Sequence, residues 1–591
     1  MQDSATVAPP KKSRFPKAVP FIIGNEAAER FSFYGMRSVL TLFLVKQFFL
    51  PAGYTTDIAN AHANKLHHLF VMVAYALPFV GGMIADWFTG KYKLILYVSM
   101  VYCVGHLMLA MFDGGLSGFE LGLLVVAIGA GGIKSCVSAN VGDQFDATNQ
   151  DLLSKVYGWF YFSINAGSMI STIAIPEVYK HFGPRWAFGV PGFLMALATI
   201  IFFSGRKMYV KVPPQGVNRN NLVFITWYAL FSPGGLLSFN GRITRAKYIT
   251  RFIIIAILYI PFAFIAKLPA SSLNVGLIIT ELLGLIILGF IVLTQGAKRC
   301  HDIGLSGWYQ LIPFFSFYLL FASSRKKDNK YQEFVQPEHF LDVAKGPYNP
   351  ERVEGVKAVY RVMSVFFFAL AFWAVWDQCL SEWTLYAEKM NRVINIGFTS
   401  FTIEPGQLST FNTVFLLLFI PLFNYVVYPW LDKHGLKTTP LRRLGTGLVL
   451  TALSFVVIGV IHTSLDHGGT PSIWWQVFAF VILSAAEVLV SITGLEYAYT
   501  HSPKSMKSTM TGIWFLVVSF GNLITALVNG LIEGGGWWAK NLKGANYEWF
   551  FVIFICIFIV AFLIVSPRLK ERNYITDPYV DNQVIADTQS L

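Results

Sequence analysis

Phe21-Ile-Ile-Gly-Asn-Glu26-Ala-Ala-Glu29-Arg30-Phe-Ser-Phe-Tyr34-Gly35 sets three ionisable side chains inside an apolar, aromatic run. An ionisable group at the centre of a membrane-crossing helix costs about 2.5–3.5 kcal/mol on insertion scales. The i, i+3, i+4 spacing of Glu26, Glu29 and Arg30 puts all three on one helical face. Such a face must look onto a polar pathway rather than lipid. That arrangement suits proton-coupled transport.

The rest of the chain supports a membrane setting. Of 591 residues, 54% are hydrophobic and 13% charged, and mean hydropathy is +0.53. A soluble globular protein carries about 25% charged residues. The composition predicts an all-α polytopic membrane protein with the lipid bilayer as its surroundings. The net charge of +13 does not call for a nucleic-acid partner, because cytoplasmic loops of membrane proteins collect Lys and Arg. The cysteines Cys103, Cys136, Cys379 and Cys556 fall in or beside apolar segments, and Cys300 in a basic loop. No CxxC or His/Cys cluster occurs, so neither a disulfide framework, a metal site nor another cofactor is expected. Met1 to Lys17 is polar and basic and reads as a cytoplasmic N-terminus rather than a cleaved signal peptide.

Apolar stretches near the ~20 residues needed to span occur at about 20–45, 66–86, 93–112, 118–140, 156–177 and 186–205. A second set lies at about 358–386, 408–430, 443–463, 473–500, 508–532 and 547–567. Basic clusters order the topology. They are Lys11, Lys12, Arg14 and Lys17; Lys91 and Lys93; Arg206, Lys207 and Lys211; Lys433, Lys437, Arg442 and Arg443; Lys504 and Lys507; and Arg568, Lys570 and Arg572. All fall on one side if every segment crosses, which predicts both termini in the cytoplasm. The interval between the sets holds runs near 249–268, 273–296 and 307–323, flanked by Arg242, Arg245, Lys247 and Arg251, by Lys298 and Arg299, and by Arg325, Lys326, Lys327 and Lys330. The first two runs then form a crossing hairpin. The third, Trp308 to Ser323 with Pro313, reads as interfacial or re-entrant. The expected domains are an N-terminal tail 1–18, a six-helix bundle 19–206, an inserted membrane domain 207–335, a linker 336–357, a second bundle 358–568 and a C-terminal tail 569–591.

Gly82-Met-Ile-Ala-Asp86-Trp-Phe-Thr-Gly90-Lys91-Tyr-Lys93 looks like the loop signature between helices two and three of the major facilitator superfamily. Its glycines permit a tight turn, and Asp86 is placed to cap the next helix and pair with basic groups. Glu26-x-x-Glu29-Arg30-Phe-x-Phe-Tyr34-Gly35, Gly132-Ile-Lys134-x3-Ser138-Ala-Asn140-x-Gly142-Asp143-Gln144-Phe145 and Phe160-Tyr161-x2-Ile164-Asn165-x-Gly167-Ser168 follow in order. Trp376-Asp377-Gln378, Glu487-x3-Ser491-x2-Gly494-Leu495-Glu496 and Trp514 complete the series. Together they resemble the proton-dependent oligopeptide transporter family over about 18–210 and 355–570.

The resemblance implies a major facilitator fold of two six-helix bundles, with an inserted helical hairpin between helices six and seven. It implies a proton-coupled symporter, not an enzyme, that imports di- and tripeptides by alternating access. Arg30 and Lys134 would receive the peptide carboxylate, and Glu487 its amino terminus. Glu26 and Glu29 would take part in proton coupling, with Asp377 and His68. Asn165 and Asn412 would hydrogen-bond the peptide backbone, with Ser491 nearby, and Tyr34, Tyr161 and Trp514 would line side-chain pockets. For His68, with its neighbour His67, a solvated position near the external helix end is equally open. Arg37 joins Gly82, Asp86 and Gly90 among the motif and gating candidates.

Two positions depart from the family pattern. Glu382 stands where many members have Arg, and Asn424 where many have Asp. Their joint change is consistent with one missing ion pair. In the interval, Phe239-x-Gly-Arg242-x2-Arg245 and Arg299-Cys-His301-Asp302-Ile-Gly304-x-Ser306-Gly307-Trp308 resemble a small bacterial membrane domain of unknown function. Its His301 and Asp302 read as a capped, tightly turned loop carrying interfacial charge. No G-x4-G-K-[ST] phosphate loop is present, so a proton gradient in a bacterial inner membrane is the expected driver. Two alternatives stay open: a same-fold carrier of another anionic or zwitterionic solute such as nitrate or an amino-acid conjugate, and a membrane sensor or scaffold.

Overall fold

The computed structural model describes residues 15–112, 115–145, 149, 152–214, 216–217, 219–265, 275–325, 329, 331, 339–395, 397, 399–501 and 507–569. Most of both expected tails lies outside the described residues, as do Lys11, Lys12, Arg14, Lys326, Lys327, Lys330, Lys504, Lys570 and Arg572.

The first apolar set becomes α1 (Val19–Leu44), α2 (Thr56–Ile84), α3 (Lys91–Ala110), α4 (Leu116–Gly142), α5 (Leu153–Phe182) and α6 (Pro184–Ser204). The second becomes α11 (Pro350–Trp376), extended by α12 (Glu382–Ala387), then α13 (Ser409–Leu422) continued by α14 (Tyr428–Lys433). It goes on through α15 (Pro440–Asp466), α16 (Ile473–Glu487) continued by α17 (Thr493–His501), α18 (Lys507–Glu533) and α20 (Ala545–Val565), with the short α19 (Gly536–Asn541) before the last. Among the described residues, eleven helices are long and apolar enough to cross a membrane. The helices Val19–Leu44, Leu153–Phe182 and Arg245–Ile265 are not among them; α1 carries Glu26, Glu29, Arg30 and Arg37.

Each set closes on its own apolar core. In the N bundle α1 packs on α5 and α6, and α3 on α4 and α6. Small residues let these helices approach closely, as expected where lipid supplies no hydrophobic drive between them. A Cβ on Gly129 would sit 2.5 Å from the Cβ of Tyr102. In the C bundle α15 packs on α16 and α20, and α11 on α18. The bundles meet chiefly where α2 lies along α18, with α5 against α13. An even number of crossings puts the start of α1 and the end of α20 on one face, here the near face; the α1–α2 connection marks the far face.

The motif after α2 turns differently from expectation. Asp86 lies exposed in a π-helical turn, Ala85–Thr89. The cap position of α3 is Gly90, with φ +75°, and no side chain caps it. Lys91 instead bonds Asp143 at 2.8 Å. The glycine requirement is real at Gly90, where an L residue is strained; Gly82 lies within α2.

The interval holds α8 (Arg245–Ile265) packed on α9 (Val275–Asp302), the expected hairpin. The third run is a 3-10 turn, Gly307–Leu311, and α10 (Phe315–Phe321). Seven helical residues reach only about 10 Å, too short to cross. Lys298, Arg299 and Cys300 are not in a loop. They lie within α9 and are buried. Lys298 donates to the Leu236 carbonyl at 2.9 Å, and Arg299 pairs with Asp302. Arg242 reaches the same carboxylate at 3.1 Å, while His301 Nδ1 lies 3.1 Å from the Gly241 carbonyl. The charge expected at an interface is therefore folded inward as the polar hub of the insert.

A further departure is α7 (Leu222–Phe231), which charge and hydropathy did not single out. Its Ile225 and Ala229 belong to the C-bundle core, as do Leu341 and Ala344 from a 3-10 turn, Phe340–Lys345, inside the expected linker. Both ends of the interval are thus docked on α11.

Candidate functional site

The charged face of α1 is intact and has partners. Arg30 Nε lies 2.8 Å from Glu26 Oε1 and 3.3 Å from Glu29 Oε2. Lys134, buried on α4, donates to Glu29 Oε1 at 2.6 Å and sits 3.8 Å from the centre of the Phe33 ring. Two cations thus balance two carboxylates, which a buried charge requires. Among the described residues, Glu26 Oε2 is buried with no hydrogen-bond donor, and Glu29 Oε2 has only the ion-pair contact with Arg30.

On the C bundle, α16 ends at Glu487, followed by a π-helical turn, Val488–Ile492, that contains Ser491. Such turns interrupt helices frequently at functional positions. Glu487 Oε2 accepts from Asn412 Nδ2 and from Trp376 Nε1, each at 2.9 Å. Asn412 also donates to Ser484 at 3.1 Å. Among the described residues no hydrogen bond reaches Glu487 Oε1, and the residue is half-buried. Across the gap on α5, Asn165 donates to the Tyr161 carbonyl at 2.9 Å, and Tyr161 is 39% exposed. Tyr34 is half-buried against the edge of Phe33. Trp514 is packed inside the C bundle, edge-on to Phe366 at 4.8 Å.

The far half of the bundle interface is closed by polar contacts. Arg37 Nη2 bonds Asp377 Oδ1 at 2.6 Å, with both side chains buried. Asn522 on α18 donates to the other oxygen of Asp377 at 2.6 Å and lies 2.8 Å from His68 Nδ1. His68 Nε2 is 3.0 Å from Ser381 Oγ. His68 is therefore fully buried, not solvated. His67 is drawn in as well, 3.1 Å from Arg37 and 2.8 Å from Thr41. The inter-bundle ion pairs Lys46–Glu388, Lys65–Glu533 and Lys180–Glu404 lie in this half too.

Glu382 and Asn424 do not form one site. Glu382 is buried near the far face, where Asn64 of α2 bonds it. Asn424 is exposed in the π-helical turn Phe423–Val427, just before Tyr428, whose ring lies under the near-face Arg443 at 4.0 Å. Glu382 is bonded to Asn64 and Asn424 is exposed on another helix, so the two do not pair here. Sequence reading also passed over Asn64, Ser381 and Asn522. The available signal was a lone amide or hydroxyl within an apolar helix, which is weak because most such groups simply satisfy backbone carbonyls.

Comparison with known proteins places this arrangement. A family model described as the POT family matches residues 92–263 and 320–564. A second, described as a protein of unknown function (DUF805), matches 236–333. The Drosophila melanogaster protein "Peptide transporter family 1" is 32% identical over 480 residues, 79% of this chain and 50% of its own length. Human "Solute carrier family 15 member 2" is 29% identical over 500 residues, 82% of this chain and 54% of its own. The chain thus spans about half the length of these curated relatives. A crystal structure of an auto-inhibited POT family peptide transporter is 32% identical, with TM-score 0.75, covering 95% of this chain and 99% of that one. With apolar helices, two bundles and the ordered motifs all in agreement, this integral membrane protein belongs to the POT family.

Proposed function

We propose that the protein carries di- and tripeptides together with protons by alternating access. One observation supports this reading above the others. Arg30 and Lys134 on the N bundle are held by exchangeable carboxylates, and Glu487 on the C bundle keeps an acceptor oxygen free. A zwitterionic peptide matches both ends of that gap.

In this account the peptide carboxylate takes the place of Glu29 or Glu26 beside Lys134 and Arg30. Arg30 cannot give up its proton, so the displaced carboxylate is neutralised by taking one up. Protonation of a glutamate and arrival of a peptide then favour one another, which links the two cargoes. The peptide ammonium binds Glu487 Oε1. Asn165, Asn412 and Ser491 supply backbone contacts, and Tyr34 and Tyr161 flank the peptide side chains. Trp514 lines the same pockets from α18. Asp377 and His68, with Arg37, would open the far face, while Gly82, Asp86 and Gly90 shape the near-face turn. We place both termini in the cytoplasm of a bacterial cell, with uptake inward across the inner membrane.

Competition for binding tests the ligand class. Unlabelled dipeptide should displace a labelled dipeptide from the purified protein, and nitrate should not. Displacement by nitrate alone would contradict the reading.

A further inference from the structure

A second buried acidic site lies away from the gap. Glu382 and Asn64 line a small cavity of about 20 Å³ near the far face, with Asp57 and Lys543 also on its wall. Glu382 is 4% exposed and Asn64 1%. Asn64 Nδ2 donates to Glu382 Oε2, and Asn64 Oδ1, buried on the same wall, has no partner among the described residues. An unpaired buried amide oxygen is costly, and this one lies beside a buried carboxylate that also reaches the cavity. Glu382 has no ion-pair partner among the described residues.

The surroundings narrow what this pair of groups can bind. On α2, Asp57 is exposed at the start of the helix. Beyond α12, Lys389 is the nearest cation on Glu382's own segment, and Tyr386 follows one turn on. From α15 come His462, stacked on Tyr386, and Asp466, which caps the start of α20 through the Ala545 N–H at 2.8 Å. α18 contributes the neutral Asn529, bonded to Tyr547 at 2.9 Å. From α20, Glu548 is fully buried, with neither oxygen hydrogen-bonded among the described residues and His462 Nδ1 at 3.5 Å. A metal cation would meet one deep carboxylate and the ammonium of Lys543. A proton needs only the carboxylate.

We propose that Glu382 is a proton-binding site of the far face, separate from the α1 glutamates, which takes its proton through this cavity and releases Asn64 when it does so. The proton passes from water to a Glu382 oxygen. The neutral acid is a poorer acceptor for the Asn64 N–H than the carboxylate was. Asn64 belongs to α2 of the N bundle and Glu382 to α12 of the C bundle, so the same proton loosens a contact that holds the two bundles together. This goes beyond the peptide-carrying reading and does not depend on it.

Infrared difference spectroscopy tests it on the full chain reconstituted in lipid, with pH steps and no peptide present. The wild type should show a titrating carboxylic-acid carbonyl band that Glu382→Gln removes and Glu382→Asp keeps at a shifted frequency. A Glu382→Gln spectrum superimposable on the wild type overturns the proposal. Where Glu382→Gln does not fold, an unshifted Glu382→Asp band overturns it equally. Replacing choline by sodium at constant pH should leave the band unchanged, and a sodium-induced change would make this a metal-cation site instead.

Discussion

Arg37 on α1 and Asp377 at the end of α11 meet at 2.6 Å with both side chains buried, and they join the two halves of the molecule. Asn522 secures the free oxygen of Asp377, and His67 lies against the guanidinium. Breaking a buried pair by removing one partner costs about 3–5 kcal/mol. That penalty falls on the conformation in which the far face is closed. Asp377→Asn should therefore shift the closed–open balance toward opening by on the order of a hundredfold or more. Spin labels at the exposed positions Ala52 and Asn395 should report a longer distance in the variant. An unchanged distance distribution would mean that this pair does not hold the face.

Glu487 gives a second expectation. Its Oε2 is occupied by Asn412 and Trp376, so a peptide ammonium must come to Oε1. A charge-assisted hydrogen bond contributes about 1.5–3 kcal/mol. Glu487→Gln should thus weaken a free dipeptide by roughly ten- to a hundredfold and leave an N-acetylated dipeptide little changed. Isothermal titration of both peptides checks this, and equal losses for the two would remove Glu487 from amine recognition.

Acid sensitivity should also be visible outside the membrane. Asp342 accepts from Lys345 at 2.8 Å and from Lys357 at 2.5 Å, tying the 3-10 turn Phe340–Lys345 to α11. Burial pushes its carboxyl up, but the hydrogen bonds from Lys345 and Lys357, with their charges, win and hold it below its ordinary range. A carboxylate held low stabilises the fold above its unfolded pKa and loses that contribution as pH falls through the folded value. The difference in melting temperature between the wild type and Asp342→Asn should be present at neutral pH and close below about pH 4. A difference that persists in acid would assign Asp342 a role other than its charge.

The fold was legible because its signals are strong and repetitive. Apolar runs of spanning length and clusters of Lys and Arg on alternate loops fix helices and their direction with little help from tertiary contacts. The charges of α1 were legible for the same reason: Glu26, Glu29 and Arg30 are too costly in an apolar run to lack purpose. What escaped were relationships between distant segments. Asn64, Ser381 and Asn522 acquire meaning only when α2, α12 and α18 converge on Glu382, Asp377 and His68. The burial of Lys298 and Arg299 escaped for a related reason, since a basic residue after an apolar run reads as a loop until Asp302 and the Leu236 carbonyl are seen to receive it. Asp86 shows the converse, a residue whose expected cap is left to the backbone of Gly90.

The central claim is that the charged face of α1 links a peptide to a proton, and uptake into proteoliposomes tests it most directly. With an imposed pH gradient, acid outside, the wild type should concentrate a labelled dipeptide, and a protonophore should abolish the accumulation. Glu29→Gln should bind the peptide yet no longer concentrate it in response to the gradient. Failure of the wild type to accumulate any member of a dipeptide panel, or gradient-driven accumulation by Glu29→Gln equal to the wild type, would contradict the account.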